Sequence, residues 1–375
     1  MSSTVYGENP NLTKWKQGEL FVEVNTLGFF RNNEYAGSVV NGYSLPGFWA
    51  QPKVGYYLLD NVKLELGAHL LRYWGTNTYP CFAYSDISQW KGGEDQKGFH
   101  LLPWFRGHVK LSDRFQLVLG NIYGGVNHRL IEPLYNPELS MTADPEVGLQ
   151  MLYNSPAFSL DAWMNWESFI FKNDVHQEAF SVGLSTRVNL NKPDSKYHFY
   201  IPAQAIVQHR GGEIDTLFTE SVQTIMNSAL GVGMDWHVGN RFLKKIEVEV
   251  DAAAYYQQTG NLWVLGKGWG LGARVAFDIA RFRFKGGYWR SDDFISLFGI
   301  PYYGSVSLSD KTLVFNAPQL MTLGAEYTHS LSESVSLGAD FDLFQHFHDG
   351  QSSTSFTFGV YLRLSPSFVL ARFRK

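Results

Sequence analysis

Residues 246–256 read Ile-Glu-Val-Glu-Val-Asp-Ala-Ala-Ala-Tyr-Tyr. In an extended chain, successive side chains point to opposite sides. Ile246, Val248, Val250, Ala252 and Ala254 therefore share one face, and Glu247, Glu249, Asp251 and Ala253 share the other. An apolar face opposite a charged one, at a period of two, is the signature of a strand with one greasy side.

The same pattern recurs along the chain. In 62–70, Val62, Leu64, Leu66, Ala68 and Leu70 oppose Lys63, Glu65, Gly67 and His69. In 335–346, Val335, Leu337, Ala339, Phe341 and Leu343 oppose Ser336, Gly338, Asp340, Asp342 and His346. In 356–364, Phe356, Phe358, Val360, Leu362 and Leu364 oppose Thr357, Gly359, Tyr361 and Arg363. Similar segments lie near 19–30, 47–57, 99–111, 115–123, 146–153, 158–169, 178–190, 197–209, 222–236, 268–277, 281–289 and 319–329. The reading is about 16 strands, within a range of about 14 to 18.

The connections alternate in length. Short ones fall at 59–61, 112–114, 154–156, 191–194, 238–240, 278–280 and 332–334. Long ones fall at 31–46, 75–98, 124–145, 210–221, 257–267 and 290–318, with modest ones at 170–177 and 347–353. Short turns on one side and long loops on the other describe an antiparallel up-and-down barrel in an outer membrane. The expected fold is thus all-β, one transmembrane barrel domain over 1–375, with 1–17 as a periplasmic N-terminal segment. An even strand number puts both termini on the periplasmic side. Aromatic residues cluster near strand ends, at Phe29-Phe30, Tyr56-Tyr57, Tyr73-Trp74, Tyr255-Tyr256, Tyr288-Trp289, Phe344 and Phe347, and read as interfacial girdles.

Composition agrees. Of 375 residues, 45% are apolar, 16% aromatic and only 18% charged. Mean hydropathy is −0.18, and no uncharged apolar stretch is long enough for a transmembrane helix. A barrel resolves this, since it needs apolar residues only at alternate positions. The net charge of −4 gives no global attraction to nucleic acid. Cys81, the single cysteine, excludes an internal disulfide or thiolate cluster and reads as a loop residue. The N-terminus has no basic region followed by an apolar stretch, so the chain reads as a mature form with an added initiator Met.

Taken together, these strands and connections resemble the bacterial outer-membrane β-barrel class, meaning porins and related barrels, over nearly the whole chain. The resemblance implies an outer-membrane location. One departure is the C-terminus, where Phe373 is followed by Arg374 and Lys375 instead of ending the chain. The stretch 365–375 reads either as a turn plus a short extra strand or as the last strand continued across a proline bulge. Gly120–Leu130 is similar to a short glycine-to-Arg-Leu segment of polysaccharide-export barrels.

Three regions carry candidate chemistry: the lumen face, the loop 124–145 and the aromatic loop 290–318. On the lumen face, Glu247, Glu249 and Asp251 form an acidic row. Gly268, Gly270, Gly272 and Arg274 follow on the next strand, and Arg281, Arg283 and Lys285 form a basic row beyond them. Each row needs its opposite nearby, so the charges either brace the wall or set a transverse field across a pore. In the loop 124–145, His128, Arg129 and Glu132 stand with three prolines across 133–145 and could form a constriction or bind a ligand. The aromatic loop residues Phe294, Phe298, Tyr302 and Tyr303 read as packing rather than sugar-stacking.

The expected function is a porin-like channel for small polar or charged solutes. The alternative is a non-enzymatic barrel subunit of an envelope complex for assembly, secretion or polysaccharide export. Enzymatic barrels are chiefly lipid hydrolases, which would need a serine–histidine pair on the outer wall; the histidines at 69, 100, 108, 198, 237 and 346 mostly read onto lumen-facing positions, and no serine lies beside them in a hydrolase-like motif. The chain is therefore expected not to be an enzyme, and to need neither cofactor nor metal. The expected partners are outer-membrane lipid, small polar solutes, and either an envelope protein or further copies of the chain.

Overall fold

The computed structural model describes residues 15–36, 38–74, 100–170, 177–212 and 222–373. Cys81, loop 75–98 and the terminal Arg374-Lys375 lie outside these. The strands are β1 (Glu19–Glu34), β2 (Tyr43–Leu59), β3 (Val62–Tyr73), β4 (His100–Lys110), β5 (Phe115–Asn121), β6 (Val147–Asn154), β7 (Phe158–Ser168) and β8 (Ala179–Asn189). They continue with β9 (Tyr197–Arg210), β10 (Gln223–His237), β11 (Leu243–Thr259), β12 (Lys267–Ile279) and β13 (Phe282–Asp292). The last are β14 (Gln319–Ser332), β15 (Val335–His348), β16 (Gln351–Leu364) and β17 (Ser367–Arg372). Among the described residues, helix is limited to short turns at Gly125–His128, Leu139–Thr142 and Pro301–Tyr303.

From β1 to β16 each strand pairs antiparallel with the next, and β1 closes the barrel on β16 and β17. The C-terminal stretch is the continued last strand. Thr26 faces Leu364 on β16 and Glu23 faces Ser367 on β17, so the pairing resumes in register across Ser365-Pro366. Proline cannot donate to the ladder, which accounts for the break. The fold is a closed 16-stranded barrel with its last strand interrupted. Both described ends meet on the side of the short turns, where the Phe373 amide donates to the Gly18 carbonyl at 2.8 Å. The external connection read as modest, 347–353, is tighter than expected. Asp349 and Gly350 alone join β15 to β16, with φ of 48° and 75°. Two consecutive positive φ values are what a two-residue hairpin turn requires.

Burial is inverted relative to a soluble protein. On β11, Glu247 and Glu249 are 4% exposed, whereas Val248 and Val250 are 39% and 41% exposed. The outward residues of the other strands, including Leu66, Leu119, Leu230, Val232, Leu323 and Val360, form one apolar band around the wall. Such a band is stable only against lipid.

The aromatic doublets do not all belong to girdles. Adjacent residues of a strand must diverge, so Phe30, Trp74, Tyr256 and Tyr288 face outward while Phe29, Tyr73, Tyr255 and Trp289 are buried inside. Phe344 is also buried inside, and Phe347 stays exposed. The glycine lane on β12 is filled. A side chain at Gly270 would fall 2.0 Å from the Trp289 ring and one at Gly272 2.6 Å, so these two glycines form the bed of an inward tryptophan.

Val232 on β10 faces Val250 across the ladder at mid-strand on the lipid side. Val232→Arg is expected to cost about 2–4 kcal/mol in a bilayer. A lower denaturant midpoint than wild type, measured in lipid vesicles, is the expected readout.

Candidate functional site

The connections 122–146 and 293–318 fold into the barrel and meet there. Tyr135 bridges Phe298, and the Asn136 amide donates to the Phe298 carbonyl at 2.7 Å. Ser296 Oγ donates to the Pro133 carbonyl at 2.7 Å. The connection 35–42 joins them through Leu308, whose amide donates to the Val39 carbonyl at 2.6 Å. Leu134, Leu139, Phe294, Phe298 and Tyr302 are buried in the resulting apolar plug, packed on inward wall residues such as Leu71, Trp289 and Phe344. The aromatic residues of 293–318 are thus packing residues, as their pattern suggests.

Charged and polar wall residues pin this plug. Glu138 is 1% exposed and accepts from Arg31 Nε at 2.9 Å, Asn33 Nδ2 at 2.8 Å and Tyr43 Oη at 2.6 Å. Gln204 holds the backbone of 129–131 with both ends of its amide, and Asn227 does the same for 295–297. Glu132 accepts from Tyr303 Oη at 2.8 Å and from Lys285 Nζ at 3.4 Å. Burial raises the Glu132 carboxyl, but Lys285 and the Tyr303 hydroxyl together hold it below the usual range.

His128 is the tightest pin. Its ring stacks on Trp163 at 3.5 Å, Nδ1 lies 2.8 Å from Asp161 and Nε2 lies 3.0 Å from Glu146. Burial disfavours the charged ring, yet Glu146 and Asp161 overcome it and raise the pKa from 6.5 to about 9. Burial likewise raises Glu146, and His128 with the Gly125 amide brings it below the usual range.

Below the plug, toward the short turns, lies a chamber of about 1830 Å³, part of it open to solvent. Glu247, Glu249, Asp251, Arg274, Arg283, Lys285, Arg129 and Glu132 all line it. His128 does not; it borders a second cavity. Arg281 does not either. It is exposed in the β12–β13 turn beside Ala280, whose φ is 54°, because the strand has ended before it.

The charged rows are joined. Arg274 pairs with Glu249, Arg283 lies 3.2 Å from Glu247, and Lys245 lies 2.8 Å from Glu247. Lys285 reaches Glu326 at 2.9 Å and Asp342 at 3.2 Å. Alternation alone did not single out Arg31, Glu138, Arg187 or Asp235, which complete this network. The parity of Arg31, Arg187 and Asp235 was legible, but their partners lie on other strands and loops.

The outer wall carries a pair that no local motif announces. His209 on β9 faces Thr224 on β10, and Nδ1 lies 2.9 Å from the hydroxyl. Both stand at the long-loop ends of their strands. The His209 ring adjoins Phe180, which stacks on Trp166, which stacks on the exposed Phe169. An aromatic shelf at this level marks the headgroup boundary.

A closed barrel with an apolar outer band and a polar, braced interior is an outer-membrane β-barrel. The solved structure of OccAB3 from Acinetobacter baumannii is similar to it, with 10% identity, a TM-score of 0.52, and coverage of 93% of this chain and 99% of that one. OprD of Pseudomonas aeruginosa is similar at 9% identity and a TM-score of 0.50, covering 95% and 98%. OmpT of Vibrio cholerae with loop L8 deleted, an outer membrane protein, has 12% identity and a TM-score of 0.48, covering 93% and 100%. These likenesses concern the fold. No curated protein sequence matches the chain.

The chain belongs to the Lipid A 3'-O-deacylase-type family, which it matches over residues 12–373. The expectation that it is not an enzyme is therefore overturned, because that family is described by an enzymatic activity. The expectation rested on histidines read as lumen-facing and on a local serine motif, and did not weigh His209. In a barrel, cross-strand pairing brings a hydroxyl and an imidazole together from separate strands, as at Thr224 and His209.

His128→Gln is expected to loosen the inward loop. A ring whose pKa rises on folding stabilises fully below its unfolded value of 6.5, and that contribution is lost as pH climbs through about 9. The melting temperature of wild type should exceed that of His128→Gln by several degrees at pH 6. By pH 10 the difference should shrink markedly.

Proposed function

We propose that this protein hydrolyses an acyl ester of a lipid A-type glycolipid in the outer leaflet. The observation that carries the reading is membership of the Lipid A 3'-O-deacylase-type family across almost the whole chain. Two features support it. The loop-side half of the lumen is packed by an apolar plug, which suits a rigid platform better than an open pore. The outer wall presents a hydroxyl on an imidazole at headgroup depth, within the reach that nucleophile and base require.

In this reading Thr224 Oγ1 attacks the ester carbonyl while His209 Nδ1 takes its proton. The tetrahedral intermediate expels the sugar alkoxide, which receives the proton from His209. Water, deprotonated by the same imidazole, then cleaves the acyl-threonine and releases the fatty acid. The aromatic shelf of Phe169, Trp166 and Phe180 holds the acyl chains beside the pair.

The test is mass spectrometry of lipid A after lipopolysaccharide vesicles are incubated with the folded barrel. Wild type is expected to release one fatty acid per lipid A. Thr224→Ala and His209→Ala are each expected to slow this by about a hundredfold or more. Unchanged acylation with folded wild type would sink the reading. Full activity in both variants would place the chemistry elsewhere.

The charged chamber favours a second reading, passage of small polar or charged solutes. Opposed carboxylates and guanidiniums along a wide cavity tune ion and dipole passage. Glu247, Glu249, Asp251, Arg274, Arg283 and Lys285 would set the selectivity. Planar-bilayer recordings test it: discrete conductance steps are expected, and a silent bilayer argues against it.

A further inference from the structure

The short turns of such a barrel lie on the periplasmic side, and three consecutive ones form a basic patch. Lys192 and Lys196 stand at the β8–β9 turn, Arg241 and Lys244 at the β10–β11 turn, and Arg281 at the β12–β13 turn, all exposed. Backbone hydrogen bonds fix these turns side by side. The His237 amide donates to the Lys196 carbonyl at 2.9 Å, the Val238 amide to the Lys244 carbonyl at 3.1 Å, and the Ala280 amide to the Phe242 carbonyl at 2.8 Å. Lys244 Nζ also donates to the Ala280 carbonyl at 2.6 Å.

The protein does not neutralise this patch. Among the described residues, Lys192, Lys196, Arg241 and Arg281 make no ion pair. Asp194 is the one exposed acid of the three turns, and Asp278 beside them is held by Arg283 at 2.7 Å. The other described turns have the opposite balance, with Asp60, Asp113 and Glu333 against Arg114. Cations gathered on one sector of the rim repel one another unless an anion covers them.

The same sector is apolar where it meets the wall. Phe242 is 66% exposed in the β10–β11 turn, between Arg241 and Lys244. Leu190, Tyr197 and Phe282 are exposed at the adjoining strand ends, with Tyr197 stacked on Trp236 at 5.7 Å and Phe282 against Tyr327 at 5.0 Å. Aromatic rings at strand ends mark the headgroup level, so the cations beside them stand among lipid phosphates. An acidic protein would answer the charge and leave Phe242 bare, whereas acyl chains cover it. We propose that this turn-side sector of β8 to β13 binds anionic phospholipid of the periplasmic leaflet, the cations on its phosphates and Phe242 against its acyl chains. The surface is separate from the outer-wall pair and does not rest on the hydrolase reading.

Native mass spectrometry of the folded full chain, titrated in detergent with dioleoyl phosphatidylglycerol or dioleoyl phosphatidylethanolamine, tests this. Wild type is expected to retain the anionic lipid about tenfold more strongly or better. Lys192→Gln/Lys196→Gln/Arg241→Gln/Arg281→Gln is expected to bring the two lipids within about twofold of each other. Arg114→Gln/Lys267→Gln/Arg290→Gln/Lys311→Gln, which removes the same charge elsewhere, is expected to keep the preference. Glycerol 3-phosphate, with the charge and no acyl chain, is expected not to displace the lipid at equal concentration. Heat-modifiable gel mobility establishes folding, and Arg241→Gln/Arg281→Gln serves, with a loss of about threefold, should the fourfold patch variant not fold. Equal retention of both lipids by wild type overturns the proposal. So does a preference that survives the patch variant, one lost equally in the control variant, or displacement by glycerol 3-phosphate.

Discussion

Closure of β1 on β16 and β17 is the constraint from which the rest of the molecule follows. In hydrocarbon, an unpaired backbone amide has no water to turn to, so a sheet can span the membrane only without a free edge. The in-register resumption at Ser367 keeps β1 paired over its periplasmic end, where β16 has stopped. Closure then forces the two faces of every strand into different solvents. Lipid takes Val248, Val250 and Leu230, and the interior takes Glu247, Glu249 and Asp251.

An interior of this width must be filled, braced or hydrated, and this barrel divides the task by depth. Near the short turns, carboxylates and cations pair along the wall, Arg283 to Glu247 and Lys285 to Glu326. Burying charges is tolerable there because each finds an opposite. Near the long loops the inward residues include apolar ones such as Leu71, Trp289 and Phe344, and the connections 122–146 and 293–318 pack on them. Glu138, Glu132 and His128 fasten that plug to the wall, each through charge-assisted contacts with residues of other strands. The loops hold one shape because several such contacts must break together.

This division leaves the barrel two candidate surfaces and a cavity. The outer wall offers a threonine–histidine contact beside aromatic rings at the lipid boundary. The turn side offers a charged chamber, and between plug and wall lies the cavity at His69 and Trp104. A plugged barrel with an outward-facing pair suits chemistry on lipid, whereas the chamber alone suits a pore.

Sequence by itself determined the strands, the barrel and the face of nearly every wall residue. Alternation at a period of two is local, and Glu247, Glu249, Asp251, Arg274, Arg283 and Lys285 could be assigned inward from their neighbours alone. The limits of that logic show at Arg281, where parity continues but the strand does not, and at Tyr255-Tyr256, where one aromatic of a doublet must turn inward. What only the tertiary structure decided are contacts between residues far apart in the chain. Arg31 meets Glu138 across 107 positions, and His209 meets Thr224 from the neighbouring strand. Strand periodicity records which side a residue faces. It holds no information about which loop crosses the lumen or which side chain stands opposite, because barrel closure and register set those distances.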